Sequence, residues 1–191
     1  MKQEIENALA VLKRGGLILY PTDTVWGIGC DATNADAVDK IYALKQRAES
    51  KALICLVNDF KMLNQFVEEI PEVAYDILKY AVKPTTIIYD DPIRVATNLI
   101  AEDNSLGIRV SKDEFSKTLV RKFRKPIVST SANISGKPTP RTYAEISEEI
   151  KQSSKSNLLG CCRVFRFFYF FLFFFSFFFF FDRCVLHLYD L

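Results

Sequence analysis

Apolar positions recur along this chain with a period that changes from segment to segment. Residues 2–14 place Ile5, Leu9 and Leu12 on one helical face and close on Gly15-Gly16, so the spacing predicts an amphipathic opening helix. Residues 16–20 then read as an apolar strand. Asn34 has the character of a helix N-cap ahead of 35–45, where Val38, Ile41 and Tyr42 keep helical spacing. A strand at 52–57, a short helix near 59–66, a helix at 72–81 opened by Pro71 and a strand at 85–89 entered from Lys83-Pro84 follow. Residues 90–104 are polar and read as loop. A strand at 105–110, a helix at 113–123 and a strand at 127–131 lead through Pro138 and Pro140 to a last helix at 143–151. Helices alternate with strands, which predicts an α/β fold: one layered domain built on a mixed sheet, without internal repeats.

Three segments carry more polar chemistry than packing requires. Residues 127–136, Ile-Val-Ser-Thr-Ser-Ala-Asn-Ile-Ser-Gly, end an apolar strand in four hydroxyls and a carboxamide: Ser129, Thr130, Ser131, Asn133 and Ser135. Such groups suit a ligand rich in oxygens, although a polar strand-to-turn junction would also use them. Residues 20–30, Tyr-Pro-Thr-Asp-Thr-Val-Trp-Gly-Ile-Gly-Cys, bring Asp23, Thr22 and Thr24 to a strand end, where open α/β sheets collect ligands. Gly27 and Gly29 there permit close backbone approach or a tight bend. Residues 44–51, Leu-Lys-Gln-Arg-Ala-Glu-Ser-Lys, crowd Lys45, Arg47 and Lys51 at a helix end. Cations complement the helix dipole at that position, and an arginine fork beside lysines could also bind a polyphosphate.

The order Pro-Thr-Asp-Thr, Lys-Gln-Arg, Ser-Leu-Gly-Ile-Arg-Val (105–110) and Ser-Thr-Ser-Ala-Asn-Ile-Ser-Gly resembles the YrdC/Sua5 family over about residues 5–150. The resemblance implies a single YrdC-like domain at 1–153, a twisted mixed sheet with flanking helices around a concave ligand site. It also implies an L-threonylcarbamoyladenylate synthase, which condenses L-threonine, bicarbonate and ATP into threonylcarbamoyl-AMP and pyrophosphate. That product serves the threonylcarbamoyl modification of adenosine 37 in tRNA through a downstream transferase machinery. On the motif positions, Thr24, Arg109 and Ser129 fall on the threonine side. Arg47, Lys51, Ser105, Ser131, Asn133 and Thr139 fall on the ATP side, and Lys45 with Arg47 is the expected catalytic cation pair. Magnesium is expected with ATP, and no protein metal site is expected. Two other readings of the same resemblance are an RNA-binding module without catalysis, contacting tRNA or double-stranded RNA, and a carbamoyltransferase-type domain.

The chain departs from the family pattern twice. Leu56 stands where longer members carry a threonine-contacting histidine. Residues 154–191 do not resemble the family's final strand, its Pro-Ser-Thr-type segment or its arginine strand. Instead, thirteen of the chain's seventeen phenylalanines fall in residues 165–181. Phe, Tyr, Leu and Ser codons lie one base apart in thymine-rich DNA, so a frameshifted reading accounts for this aberrant tail. A membrane anchor is the other reading, but the unbroken run from Phe167 to Phe181 is fifteen residues against the ~20 a spanning helix needs. The run is an aggregation hazard, and the intact chain is expected to be insoluble or weakly active.

Charge changes the picture little. The 191 residues carry a net charge of +2, yet residues 1–154 hold 21 basic and 21 acidic side chains, so long-range attraction to RNA is not expected of the domain. Lys112, Lys117, Arg121, Lys122, Arg124 and Lys125 could form a local basic patch or simply a solvated helix face. Cys30 and Cys55 sit in apolar strand contexts and read as reduced core residues, as expected of a cytoplasmic protein with no signal peptide.

Overall fold

The computed structural model describes residues 1–22, 24–46 and 53–154, together with the backbone of 156–157, 180–181 and 184–185. The opening helix α1 (Lys2–Lys13) buries Ile5, Ala8, Leu9, Val11 and Leu12. It stops in a Schellman turn, in which Gly15 N–H donates to Leu12 O at 3.0 Å and Gly16 N–H to Val11 O at 3.0 Å. Gly15 has φ +66°, the left-handed conformation that this turn demands of its glycine.

The chain then forms a hairpin, β1 (Ile18–Pro21) and β2 (Trp26–Asp31). Residues 20–30, expected to be a strand end, thus hold a second strand. Two glycines make Trp26–Asp31 a poor local strand former, and pairing on both sides makes it one. Helix α2 (Ala35–Lys45) is capped by Asn34, whose Oδ1 accepts from Ala37 N–H at 3.2 Å, and ends at Gln46 in the left-handed region. There follow β3 (Ile54–Val57), α3 (Phe60–Leu63), α4 (Glu72–Tyr80), β4 (Thr86–Asp90) and β5 (Ser105–Val110). Next come α5 (Glu114–Phe123) and β6 (Ile127–Ser131). The expected final helix is split into a 3-10 turn at Tyr143–Glu145 and α6 (Glu148–Ser153). The break has a local cause: Glu145 turns back to accept from Arg141 N–H at 2.8 Å and Thr142 Oγ1 at 2.9 Å.

One mixed sheet of seven strands runs in the order β4-β5-β3-β6-β2-β1-β7, where β7 is Ser156–Asn157, lying parallel to β1 and beyond residue 153. A separate two-residue ribbon pairs Phe180–Phe181 with Cys184–Val185. Cross-strand register sorts the main sheet into two faces. Ile87, Ile108, Cys55, Val128, Ile28 and Cys30 share one face and are all at most 1% exposed. The other face carries Thr86, Arg109, Leu56, Ile54, Ser129, Ser131, Gly27 and Gly29. Helix α5 reaches this second face, with Phe115 6.1 Å from the Tyr20 ring, and an ion pair of 2.7 Å between Lys122 and Glu6 joins it to α1. Among the described residues no helix is long and apolar enough to cross a membrane.

Candidate active site

A cleft opens on the polar face of the sheet. Its lining includes Thr22, Thr24, Ile54, Leu56, Arg109, Ser111, Asp113, Ser129 and Ser131. Period-two alternation explains why these residues meet. Ser129 and Ser131 are two apart on β6, and Ser129 lies across from Gly29 on β2 and Ile54 on β3. Arg109 lies across from Leu56 on one side and Thr86 on the other. Gly27 keeps the floor low, because a Cβ there would come within 3.0 Å of Thr22 and 3.6 Å of the Ser129 hydroxyl.

The edge of the cleft is a tight loop organised by one hydroxyl. Thr22 Oγ1 accepts from the N–H groups of Thr24 and Val25, each at 3.2 Å, and donates to Val25 O at 2.7 Å. This holds Thr24 exposed at the rim, with its hydroxyl 3.1 Å from that of Thr22. On the floor, Ser129 is buried and its Oγ accepts from Tyr20 Oη at 2.9 Å. Arg109 is 5% exposed and donates Nε–H to Thr86 Oγ1 at 2.9 Å. Among the described lining residues Arg109 is the one cation and Asp113 the one anion. Asp113 Oδ1 also caps α5 by accepting from Ser116 N–H at 2.7 Å.

The Ser131–Asn133 segment is held from beneath by Lys45. This side chain is 2% exposed, and its ammonium donates to Ser131 O at 2.6 Å, Asn133 O at 2.8 Å and, more weakly, Asn133 Oδ1 at 3.4 Å. Ser131 Oγ donates to Asn133 Oδ1 at 2.5 Å, while Ser135 N–H donates to Lys45 O at 3.1 Å. The end of α2 and the loop after β6 are therefore one hydrogen-bonded unit, formed by residues 86 and 88 positions apart in sequence.

Thr24, Arg109, Ser129 and Ser131 thus meet in the cleft, with Lys45 and Asn133 directly behind it. Ser105 does not reach it. It lies four residues from Arg109 on β5, about 13 Å along the strand, and its hydroxyl donates to Asp103 Oδ1 at 2.6 Å. Thr139 is exposed on the loop after Gly136 and does not line the cleft. Arg47, Lys51 and Asp23 lie outside the described residues. Leu56, the position of the departure from the family pattern, forms an apolar wall with Ile54. Sequence reasoning passed over Tyr20, Thr86 and Asp113. Each is an ordinary strand or cap residue locally and acquires its place from the pairing of distant strands. A larger hollow of about 490 Å3 between α1, α2 and α6, lined by Arg14, Lys40 and Glu149 among others, contains none of the candidate residues.

Burial pushes the thiols of Cys30 and Cys55 well above the ordinary cysteine range, and both side chains lie on the opposite, apolar face. They are inert core groups in this geometry. Among the described residues no group of three or more His, Cys, Asp or Glu side chains could hold a metal ion.

The profile of the Sua5/YciO/YrdC family, described as "Telomere recombination", matches residues 10–161. A threonylcarbamoyl-AMP synthase of Hahella chejuensis is 34% identical over 157 residues, covering 82% of this chain and 85% of its own. One of Idiomarina loihiensis is 36% identical over 153 residues, covering 78% and 81%. The crystal structure of P. abyssi Sua5 complexed with L-threonine superposes with a TM-score of 0.76 at 28% identity over 81% of this chain. This chain spans about half of that protein, 46% of its length.

Proposed function

Because this chain belongs to the Sua5/YciO/YrdC family, we propose that it is a threonylcarbamoyl-AMP synthase, condensing L-threonine, bicarbonate and ATP with release of pyrophosphate. The observation that carries this reading is the convergence of Arg109, Ser129, Ser131 and Thr24, from three separate segments, on one cleft. A buried guanidinium matches the carboxylate of an amino acid, and its fork geometry favours two parallel hydrogen bonds. Ser129 and Thr24 offer hydroxyls to the rest of the threonine, while Ile54 and Leu56 provide an apolar wall for its methyl group.

ATP would lie along the adjoining edge, where Ser131 and Asn133 face the loop carrying Thr139, with Ser105, Arg47 and Lys51 completing its contacts. The reaction joins the threonine amine to bicarbonate carbon, losing water. An oxygen of the resulting carbamate then attacks the α-phosphorus, forming a P–O bond as the bond to pyrophosphate breaks. Negative charge grows on the phosphoryl oxygens and the departing group, so pre-placed cations stabilise the transition state. Arg47 is assigned to that role. Lys45 supplies charge from below and holds Ser131 and Asn133 in position. Magnesium would accompany ATP and supply further positive charge beside its phosphates. The product would pass to a transferase acting on tRNA in the cytoplasm. Direct contact with tRNA or double-stranded RNA would fall to the basic side chains of α5 and its flanks.

The test is pyrophosphate release by the full chain, kept in solution by a fusion partner, with radiolabelled threonine to trap the adenylate. Release that requires both threonine and bicarbonate supports the reading. Folded protein that releases none, and binds neither threonine nor ATP, refutes it.

A further inference from the structure

We infer that Thr86 is a positioning residue, which sets the plane of the Arg109 guanidinium and thereby the direction from which a carboxylate can be bound. The identity of that carboxylate as threonine's rests on the synthase reading; the positioning itself does not.

Arg109 has one strand neighbour on each side. Toward β3 it meets Leu56, which has no polar atom, and toward β4 it meets Thr86. Its Nε–H donates to Thr86 Oγ1 at 2.9 Å, and both residues are 5% exposed. An arginine side chain has several soft torsions, and burial alone does not choose among them. Nε lies in the guanidinium plane and nearest the strand, so fixing its hydrogen bond fixes the plane. An Nε committed to Thr86 also closes the side-on approach through Nε and one terminal nitrogen. The two Nη nitrogens form the end-on edge, a geometry suited to a bidentate carboxylate. Thr86 itself does not line the cleft, so it acts through Arg109 rather than on the ligand.

Thr86→Val keeps nearly the same shape and removes the acceptor, leaving a buried N–H without its partner; Thr86→Ser keeps the acceptor. The experiment combines steady-state pyrophosphate release by the full chain with the Arg109 Nε–H resonance in 15N spectra, assigned by its loss in Arg109→Lys. In the parent that resonance is expected to be protected from exchange, and in Thr86→Val to lose protection. The KM for threonine should rise about tenfold in the valine variant, with the KM for ATP and kcat within about threefold, and the serine variant should return to the parent. A general loss of packing would instead move both KM values and the melting temperature together, which would overturn the inference. So would a valine variant with parental threonine KM and an unchanged Nε–H signal. If the parent turns nothing over but its Nε–H protection depends on Thr86 as described, the positioning stands and the synthase reading fails.

Discussion

Lys45→Met is the most incisive perturbation of this site, because the structure assigns Lys45 a holding role that its motif position does not reveal. Methionine keeps much of the apolar stem and deletes the ammonium. Two short bonds then disappear, to Ser131 O at 2.6 Å and Asn133 O at 2.8 Å, while the third at 3.4 Å is too long to weigh. A buried acceptor left unpaired costs about 1–3 kcal/mol. Ser131 and Asn133 are only half-buried, so water can reach part of their surface and the lower end of that range applies. Removing a buried ammonium also recovers its desolvation cost, which subtracts from the loss. The net expectation is a destabilisation of about 1 kcal/mol, or a fall in Tm of about 2–4 °C for a chain of this size. Urea unfolding followed by Trp26 fluorescence measures it. Trp26 is the single tryptophan, is 5% exposed, packs edge-on against Tyr143 at 5.4 Å and accepts Ala132 N–H at 2.8 Å. It therefore reports on the same loop. Lys40→Met is the control, since exposed Lys40 donates one bond, to Gly15 O at 2.8 Å, and should cost below about 0.5 kcal/mol. If Lys45→Met is as stable as that control, the holding role is wrong and Lys45 acts only through its charge.

Arg109→Ala should raise the threonine KM by roughly 10- to 150-fold, equivalent to about 1.5–3 kcal/mol for a charge-assisted bond, with the ATP KM unchanged; a variant that titrates with threonine like the parent would dismantle the site assignment. Arg47→Ala should raise the ATP requirement and lower kcat, which stopped-flow pyrophosphate release would separate. Glu145 has its carboxyl lowered from the ordinary 4.5, chiefly by the Arg141 N–H and then by the Thr142 hydroxyl. Its contribution to holding the 141–145 turn is therefore complete above the unfolded value and lost as pH falls through the lower folded value; Glu145→Gln should remove that acid-side step from a titration of the turn followed by NMR. Finally, replacing alternate phenylalanines of 167–181 with serine should raise the soluble yield of the chain, measured by sedimentation, because the run has the composition of an aggregating segment.

What the sequence by itself determined were the features whose causes are local. The end of α1 follows from Gly15-Gly16 and the start of α2 from Asn34, because caps are satisfied within three or four residues. The alternation Ser129–Ser131 on a strand was likewise readable as one face, and the motif order identified the family. Tertiary structure decided the rest. Trp26–Asp31 became a strand because β1 and β6 pair with it on both sides, an effect no propensity at Gly27 or Gly29 contains. Lys45 became the anchor of Ser131 and Asn133 because the fold closes a separation of more than eighty residues. Thr86 acquired a partner in Arg109 only through the register of β4 on β5, and Tyr20 met Ser129 only because β2 lies between their strands. Periodicity and capping act over one or two turns of chain, whereas the cleft is made by cross-strand register, whose energy exists only once distant strands have paired.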